Sequence, residues 1–363
     1  MAQISARQFG MLIFLLRIGL TIVRLPALKL MPKGPDAWLA LLIGTVVGAG
    51  LVGWVLSEAA RTPTLTLQER LDSALGMVPG RIVGWCYLLF FLWDTMLAVR
   101  LYSGMLTAQP MPETPPEAFM FMMLAGTAFT AIQGPEVVAR MAEVTAPLII
   151  GGIVLVLLLG LNRMDPHALK PVVGYGWAPI LRTAVFPAGV QSETLAALLL
   201  LPHTKDPRQA ARAGAAAATA AGGLSALCAA VLVMFYSSPE TRRLVYPLYD
   251  MARSITIGDF FERIDALFII IWSANSFVKL AFLHWATSRG LAQLLGLKGA
   301  RHLVLPLALL IGLAATRAYG SQAELYSLNS PPVYIMTTGP FLLGFPVLLS
   351  GAELLRRWRR RAL

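Results

Sequence analysis

Charge is scarce in this chain. Of its 363 residues only 13% are Asp, Glu, Lys or Arg, while 57% are hydrophobic and the mean hydropathy is +0.67. Soluble domains carry about 25% charged residues to cover their surface, so a water-soluble globule is excluded. Cysteine is almost absent. Cys86 and Cys228 both fall inside apolar stretches, which excludes a disulfide framework and leaves reduced, apolar packing for each. The four histidines, His167, His203, His284 and His302, are scattered without metal-ligand spacing. Phosphate-binding glycine loops and catalytic constellations are lacking as well. The chain therefore reads as neither an enzyme nor a metalloprotein, and no cofactor is implied. The first apolar run begins near Gln8 and has no small-residue cleavage site. It is too long for a signal-peptide core and is expected to stay as a membrane helix.

What is present is a succession of long apolar runs. A helix of about 20 residues crosses the hydrocarbon core, and ten segments approach that length. They lie near 8–30, 36–58, 81–107, 115–132, 143–161, 177–202, 210–236, 262–288, 301–318 and 333–355. The expectation is an all-α polytopic membrane protein in one integral-membrane domain. Proline and glycine punctuate the connections, as in Pro32-Lys33-Gly34-Pro35 and the run PMPETPPE. The stretch TPTLTLQERLDSALG reads as a re-entrant or interfacial helix, and 237–259 as the longest external segment. The net charge of +11 comes from basic residues spread among loops, ending in RRWRRRAL. Loop bias and attraction to anionic lipid account for it without nucleic acid. Lys and Arg are in excess on the side that holds Arg7, Arg61, Arg140, Lys205, Arg289 and the tail at 356–363. Both termini are therefore expected to be cytoplasmic.

Segments one and six share a peculiarity. Gly19 lies at mid-depth of the first, and the sixth reads AVFPAGVQSETLAALLLLP, with Pro187 and Gly189 close together. Interrupted helices in corresponding positions of two five-helix halves, here about 8–161 and 177–318, are the pattern of inverted-repeat transporters. The span 333–355 is then appended or completes the second half. A broken helix leaves peptide groups unpaired, and a small polar guest can satisfy them where lipid cannot. A simple kink at each position is the other reading; the matched pair favours a site.

The opening ISARQFGMLIFLLRIGLTIVRLP, the following DAWLALLIGTVVG and the later RLVYPLYDMARSITIGDFFERIDALFIIIW resemble the B subunits of spore germinant receptors, the GerAB type. The likeness runs along essentially the whole chain. Such proteins belong to the amino acid–polyamine–organocation superfamily, so the resemblance implies ten helices in a five-plus-five inverted repeat of the LeuT kind, with helices 1 and 6 discontinuous. It also implies a subunit of the spore inner membrane or cell membrane that senses a small germinant, often an amino acid. Its partners would be an A subunit and a lipoprotein C subunit. Segment six lacks the aromatic Pro-Phe-Gly-Glu version of the family, although Glu193 keeps its spacing to Pro202. The alternative function is a secondary transporter of amino acids or amines, which shares the fold and the site. A scaffold that binds nothing is the third and least favoured.

Charge inside the bilayer costs about 2.5–3.5 kcal/mol per residue on insertion scales, so Arg17, Asp94, Arg100, Glu193 and Lys279 need a reason to be there. Asp94 is too short to reach water from mid-segment. It shares a face with Tyr87, Phe91 and Ala98 by helical spacing. That face is either the wall of a central cavity or the anchor of an ion pair with Arg17 or Lys279. Glu193 is the partner expected for Arg17. Arg100 lies nearer an end, where snorkelling accounts for it. Segment eight presents Trp272, Asn275, Ser276 and Lys279 along one face; in the superfamily this segment borders the site. Asn275 and Ser276 bind ligand or pair across helices. The expected ligand-binding residues are Arg17, Gly19, Thr21, Tyr87, Phe91, Asp94, Pro187, Gly189, Gln191, Glu193, Asn275 and Ser276. Gly44, Gly48 and Gly53, and the run AGAAAATAAGG, are expected to be surfaces for close helix packing.

Overall fold

The structure, a computed structural model, describes residues 3–23, 25–255, 264–318, 333 and 336–344. Among these it is built from helices: α1 (Ala6–Val23), α2 (Pro26–Leu30), α3 (Ala37–Ala59), α4 (Leu67–Leu75), α5 (Met77–Ala108), α6 (Pro116–Gln133), α7 (Pro135–Leu159), α8 (Trp177–Val190), α9 (Pro207–Tyr236), α10 (Ser238–Arg243), α11 (Pro247–Ser254), α12 (Ile264–Leu294) and α13 (Arg301–Ala318). Six of the described helices, α3, α5, α7, α9, α12 and α13, are long and apolar enough to cross a membrane. Most lie within a few residues of the expected segments. The fifth segment begins earlier than expected, because α7 starts at Pro135 directly after Gly134, whose φ of +99° turns the chain out of α6. Of the tenth segment only part falls within the described residues, helical over 336–344.

One helix sits in the middle. Phe9, Leu12, Ile13, Leu15, Leu16 and Ile18 of α1 are all fully buried, as befits a helix apolar around its whole circumference. It packs against α7, α9 and α12, while α3 lies between α8 and α9. Lipid-facing side chains such as Val46, Val47, Leu309 and Leu313 stay exposed on the outer helices. The glycines expected to serve packing do so. A Cβ on Gly44 would stand 2.2 Å from the Ala184 carbonyl oxygen, one on Gly48 would stand 2.8 Å from that of Ala188, and one on Gly222 would overlap Thr45. Residue 4 pairs as a short bridge with the end of segment six, Ile4 N–H donating to the His203 carbonyl and Lys205 N–H to that of Ile4, each at 2.9 Å.

Two expectations about breaks need correction. The first helix is not interrupted at Gly19; α1 runs unbroken to Val23. The discontinuity comes at Leu25, with φ +41°, before α2 opens at Pro26. A proline disfavours helical geometry in the residue before it, whereas a lone glycine in a tightly packed span keeps its helical bonds. Likewise α8 passes through Pro187 and Gly189 and ends at Val190. There the winding tightens to a 3₁₀ helix over Gln191–Leu199, all of it buried, and a shorter one over Leu201–His203. The change of winding, with its poorer hydrogen-bond geometry, takes the place of a gap.

The stretch read as an interfacial helix is α4, closed at its start by a capping box in which Thr66 and Glu69 exchange bonds. Its Arg70 is buried and turns back to the end of α3. The guanidinium donates to the Ala59 carbonyl at 2.8 Å, the Thr62 hydroxyl at 2.7 Å and the Thr62 carbonyl. A cation on the last carbonyls of a helix satisfies orphan acceptors and opposes the helix dipole. Arg70→Ala is expected to cost about 2 kcal/mol, read as a lower thermal midpoint in detergent. Arg70→Lys should recover only part, since a lysine lacks the planar fork. Of the segment 237–259, residues up to 255 are described; they hold α10 and α11.

Candidate functional site

Three helices deliver charge to one buried point. Arg17 comes from the central α1, Glu193 from the 3₁₀ stretch and Lys279 from the middle of α12. Arg17 Nη1 donates to Glu193 Oε2 at 3.0 Å, and Lys279 Nζ donates to the same oxygen at 2.8 Å. The side chains are 5% exposed for Arg17 and Glu193 and 12% for Lys279. Charge-assisted bonds of this kind are about twice as strong as neutral ones, and they offset part of the cost of taking the ions out of water. Arg17 thus meets the partner expected from the sequence. Asp94 meets neither of its two readings: among the described residues it has no ion pair with Arg17 or Lys279, and it does not line the cavity beside Lys279. It lies beside Glu193 instead, within the field of both cations.

Around the ion pair, buried polar atoms stand without hydrogen-bond partners among the described residues. They include Arg17 Nε, Asp94 Oδ2, Gln191 Oε1, Ser192 Oγ, Thr194 Oγ1, Trp272 Nε1 and both amide atoms of Asn275. Most buried polar groups in native proteins are paired, so a concentration of exceptions at one place is informative. A cavity of about 40 Å³ is lined by Gly19 of α1, Ala98, Leu101 and Tyr102 of α5, and Trp272, Asn275, Ser276, Lys279 and Leu280 of α12, so that of these unpartnered groups those of Trp272 and Asn275 stand in its wall. One water needs about 10–15 Å³ on this measure, so the space suits a few waters. An amino acid fits only if the walls move. Gly19 is what lets the cavity exist: a Cβ there would lie 2.7 Å from Asn275 Nδ2. In its wall Tyr102 stacks on Trp272, with ring centroids 5.1 Å apart and planes at 28°.

The remaining expected residues are distributed around this centre. Tyr87 and Phe91 sit with Phe90 and Phe341 in an aromatic cluster, where the Tyr87 hydroxyl donates to the Phe341 carbonyl at 2.9 Å. They do not line the cavity. Pro187 packs against Gly44, Gln191 against Gly48, and Gly189 is buried near the end of α8. Thr21 lies in α1, but its side chain is outside the described residues. The cavity residues missed from the sequence are Leu101, Leu280 and, alone among them in carrying a polar group, Tyr102. The signal for Tyr102 was present: positions 94, 98 and 102 continue one face at i, i+4 and i+8. Among the described residues there is no group of His, Cys, Asp and Glu able to hold a metal.

A family model described as spore germination protein matches residues 3–320. Spore germination protein KB of Bacillus subtilis (strain 168) is 27% identical over 368 aligned positions, covering 99% of this chain and 96% of that protein. Spore germination protein YndE of the same organism is 24% identical, over 72% of each chain. Among solved structures, a Na⁺-coupled sialic acid symporter in a substrate-bound outward-open state superposes with a TM-score of 0.72 at 14% identity. The match covers 95% of this chain and 78% of the symporter. MhsT in complex with L-phenylalanine gives 0.70 at 15% identity, over 96% and 89% of the two chains. At such identities the likeness speaks to the fold.

Proposed function

The chain belongs to the spore germination protein family, a multi-pass integral membrane protein of permease-like fold, and from that premise we propose that it is the nutrient-sensing B subunit of a spore germinant receptor. In this reading a small germinant, an amino acid first of all, enters from outside and settles in the cavity between α1, α5 and α12. The protein sits in the inner membrane of the spore with both termini cytoplasmic, and signals to an A subunit and a lipoprotein C subunit.

The observation that carries this reading is that Trp272 Nε1 and both amide atoms of Asn275 are buried and unpartnered among the described residues in the wall of a cavity that Lys279 of the ion pair also lines. Leaving a buried donor or acceptor unpaired costs about 1–3 kcal/mol. A core kept only for stability has no use for so many, whereas a ligand that pairs with them regains that energy on binding. Signalling further requires that the ligand favour one arrangement over another, since equal affinity for both shifts nothing.

The test is a thermal-shift panel of amino acids, sugars and nucleosides on the purified chain. A true ligand at 100 times its Kd should stabilise the fold by about 2.7 kcal/mol. Gly19→Leu, which fills the cavity, should abolish the shift and the germination response while the protein still reaches the membrane. A normal response in that variant would remove the ligand from this position. The second reading, a secondary transporter of amino acids or amines, is favoured by one observation: the fold is shared with a Na⁺-coupled symporter. Uptake of a labelled amino acid into proteoliposomes down an ion gradient would decide for it.

A further inference from the structure

The cavity is chemically one-sided. Lys279 lines it, while the nearby carboxylates Glu193 and Asp94 do not. The Lys279 ammonium has three donors, and one of them goes to Glu193. With a side chain 12% exposed, against 5% for Arg17, it is the cation within reach of the cavity. One helical turn before it, on the same face, stands Asn275, fully buried, with neither amide atom hydrogen-bonded. Trp272 Nε1–H is a third buried donor without a partner in the same wall.

The geometry points to a carboxylate site: the cavity takes the carboxylate of a small molecule on the Asn275 amide and the Lys279 ammonium, and this ligand competes with Glu193 for Lys279. The inference rests on the ligand-sensing reading above and names the chemistry its ligand must have. An amine without a carboxylate would meet only the like charge of Lys279 in this wall.

The shared oxygen gives the site a means of reporting occupancy. Glu193 Oε2 is held by Arg17 as well as Lys279, so it keeps one ionic partner when Lys279 turns to a ligand. α1 then keeps its ionic tie to the 3₁₀ stretch while α12 loses its own. That is a difference in contacts between the empty and the bound state, which any ligand-driven shift requires.

The test uses the full chain in nanodiscs and three probe sets measured by thermal shift and calorimetry: common amino acids, their carboxamides, and neutral sugars. An amino acid should bind, and its carboxamide should bind at least about tenfold more weakly. Lys279→Met should weaken the acid by a similar factor and leave the carboxamide nearly unchanged, Asn275→Ala should weaken both, and Lys279→Arg should retain most of the affinity. Should Lys279→Met fail to fold, the acid-to-carboxamide ratio on the unmodified chain still decides. Equal binding of acid and carboxamide, or a sugar whose affinity ignores Lys279→Met, overturns the carboxylate site and leaves the sensing reading standing. If no probe in any set shifts or binds, the sensing reading falls and this inference with it.

Discussion

Glu193→Ala is expected to destabilise the protein by about 3–5 kcal/mol, because it leaves Arg17 and Lys279 buried with no anion between them. The loss should appear as a lower thermal midpoint in detergent and as reduced accumulation in the membrane. Glu193→Gln keeps the shape and an acceptor oxygen but not the charge, so it should fall between the two. The informative comparison is Glu193→Gln combined with Lys279→Met, which removes the anion and the cation nearer the cavity together. If the pair is coupled as the shared oxygen implies, the double variant loses less than the sum of its parts. Simple additivity would mean that Arg17 alone satisfies Glu193 and that Lys279 is a bystander.

The second large effect concerns packing. Gly44→Ala should cost about 3 kcal/mol, at the upper end for overpacking. A Cβ at Gly44 would meet the backbone oxygen of Ala184 at 2.2 Å and Pro187 Cγ at 2.5 Å, neither of which can rotate away. The only relief is for α3 and α8 to move apart, and the 3₁₀ stretch that presents Glu193 follows directly on α8. Loss of ligand response should therefore accompany loss of stability in this variant. Gly50→Ala is the control. Nothing lies within 4 Å of its added Cβ, and the helix should gain up to about 1 kcal/mol from the substitution. A Gly44→Ala midpoint no lower than that of Gly50→Ala would contradict the close approach of the two helices.

Much of this arrangement is legible residue by residue. Long apolar runs predict α3, α5, α9, α12 and α13 to within a few positions at most boundaries, because each membrane-length helix satisfies its own backbone and needs no distant partner to be recognised. Glycine at 44, 48 and 53 signals close contact, and the contacts are there. Charge at 17, 193 and 279 signals a buried network, since lipid penalises each charge alone. The interruption misread at Gly19 shows where local reasoning stops. Glycine weakens a helix only by its own propensity, and the neighbours packed around α1 outweigh that; the chain turns instead where Pro26 constrains the residue before it.

Composition and hydropathy, which are properties of single segments, settle that this is a polytopic helical membrane protein with charge hidden in its spans. They also single out Arg17 and Glu193 as partners. That Lys279 joins them on the same oxygen, that Asp94 is left beside Glu193, and that stacked Tyr102 and Trp272 share the wall of a small cavity with Asn275 are matters of how α1, α5, α12 and a 3₁₀ turn converge. Such convergence depends on distances between segments far apart along the chain, Arg17 and Glu193 alone being separated by 176 residues, and no local pattern encodes a distance of that kind.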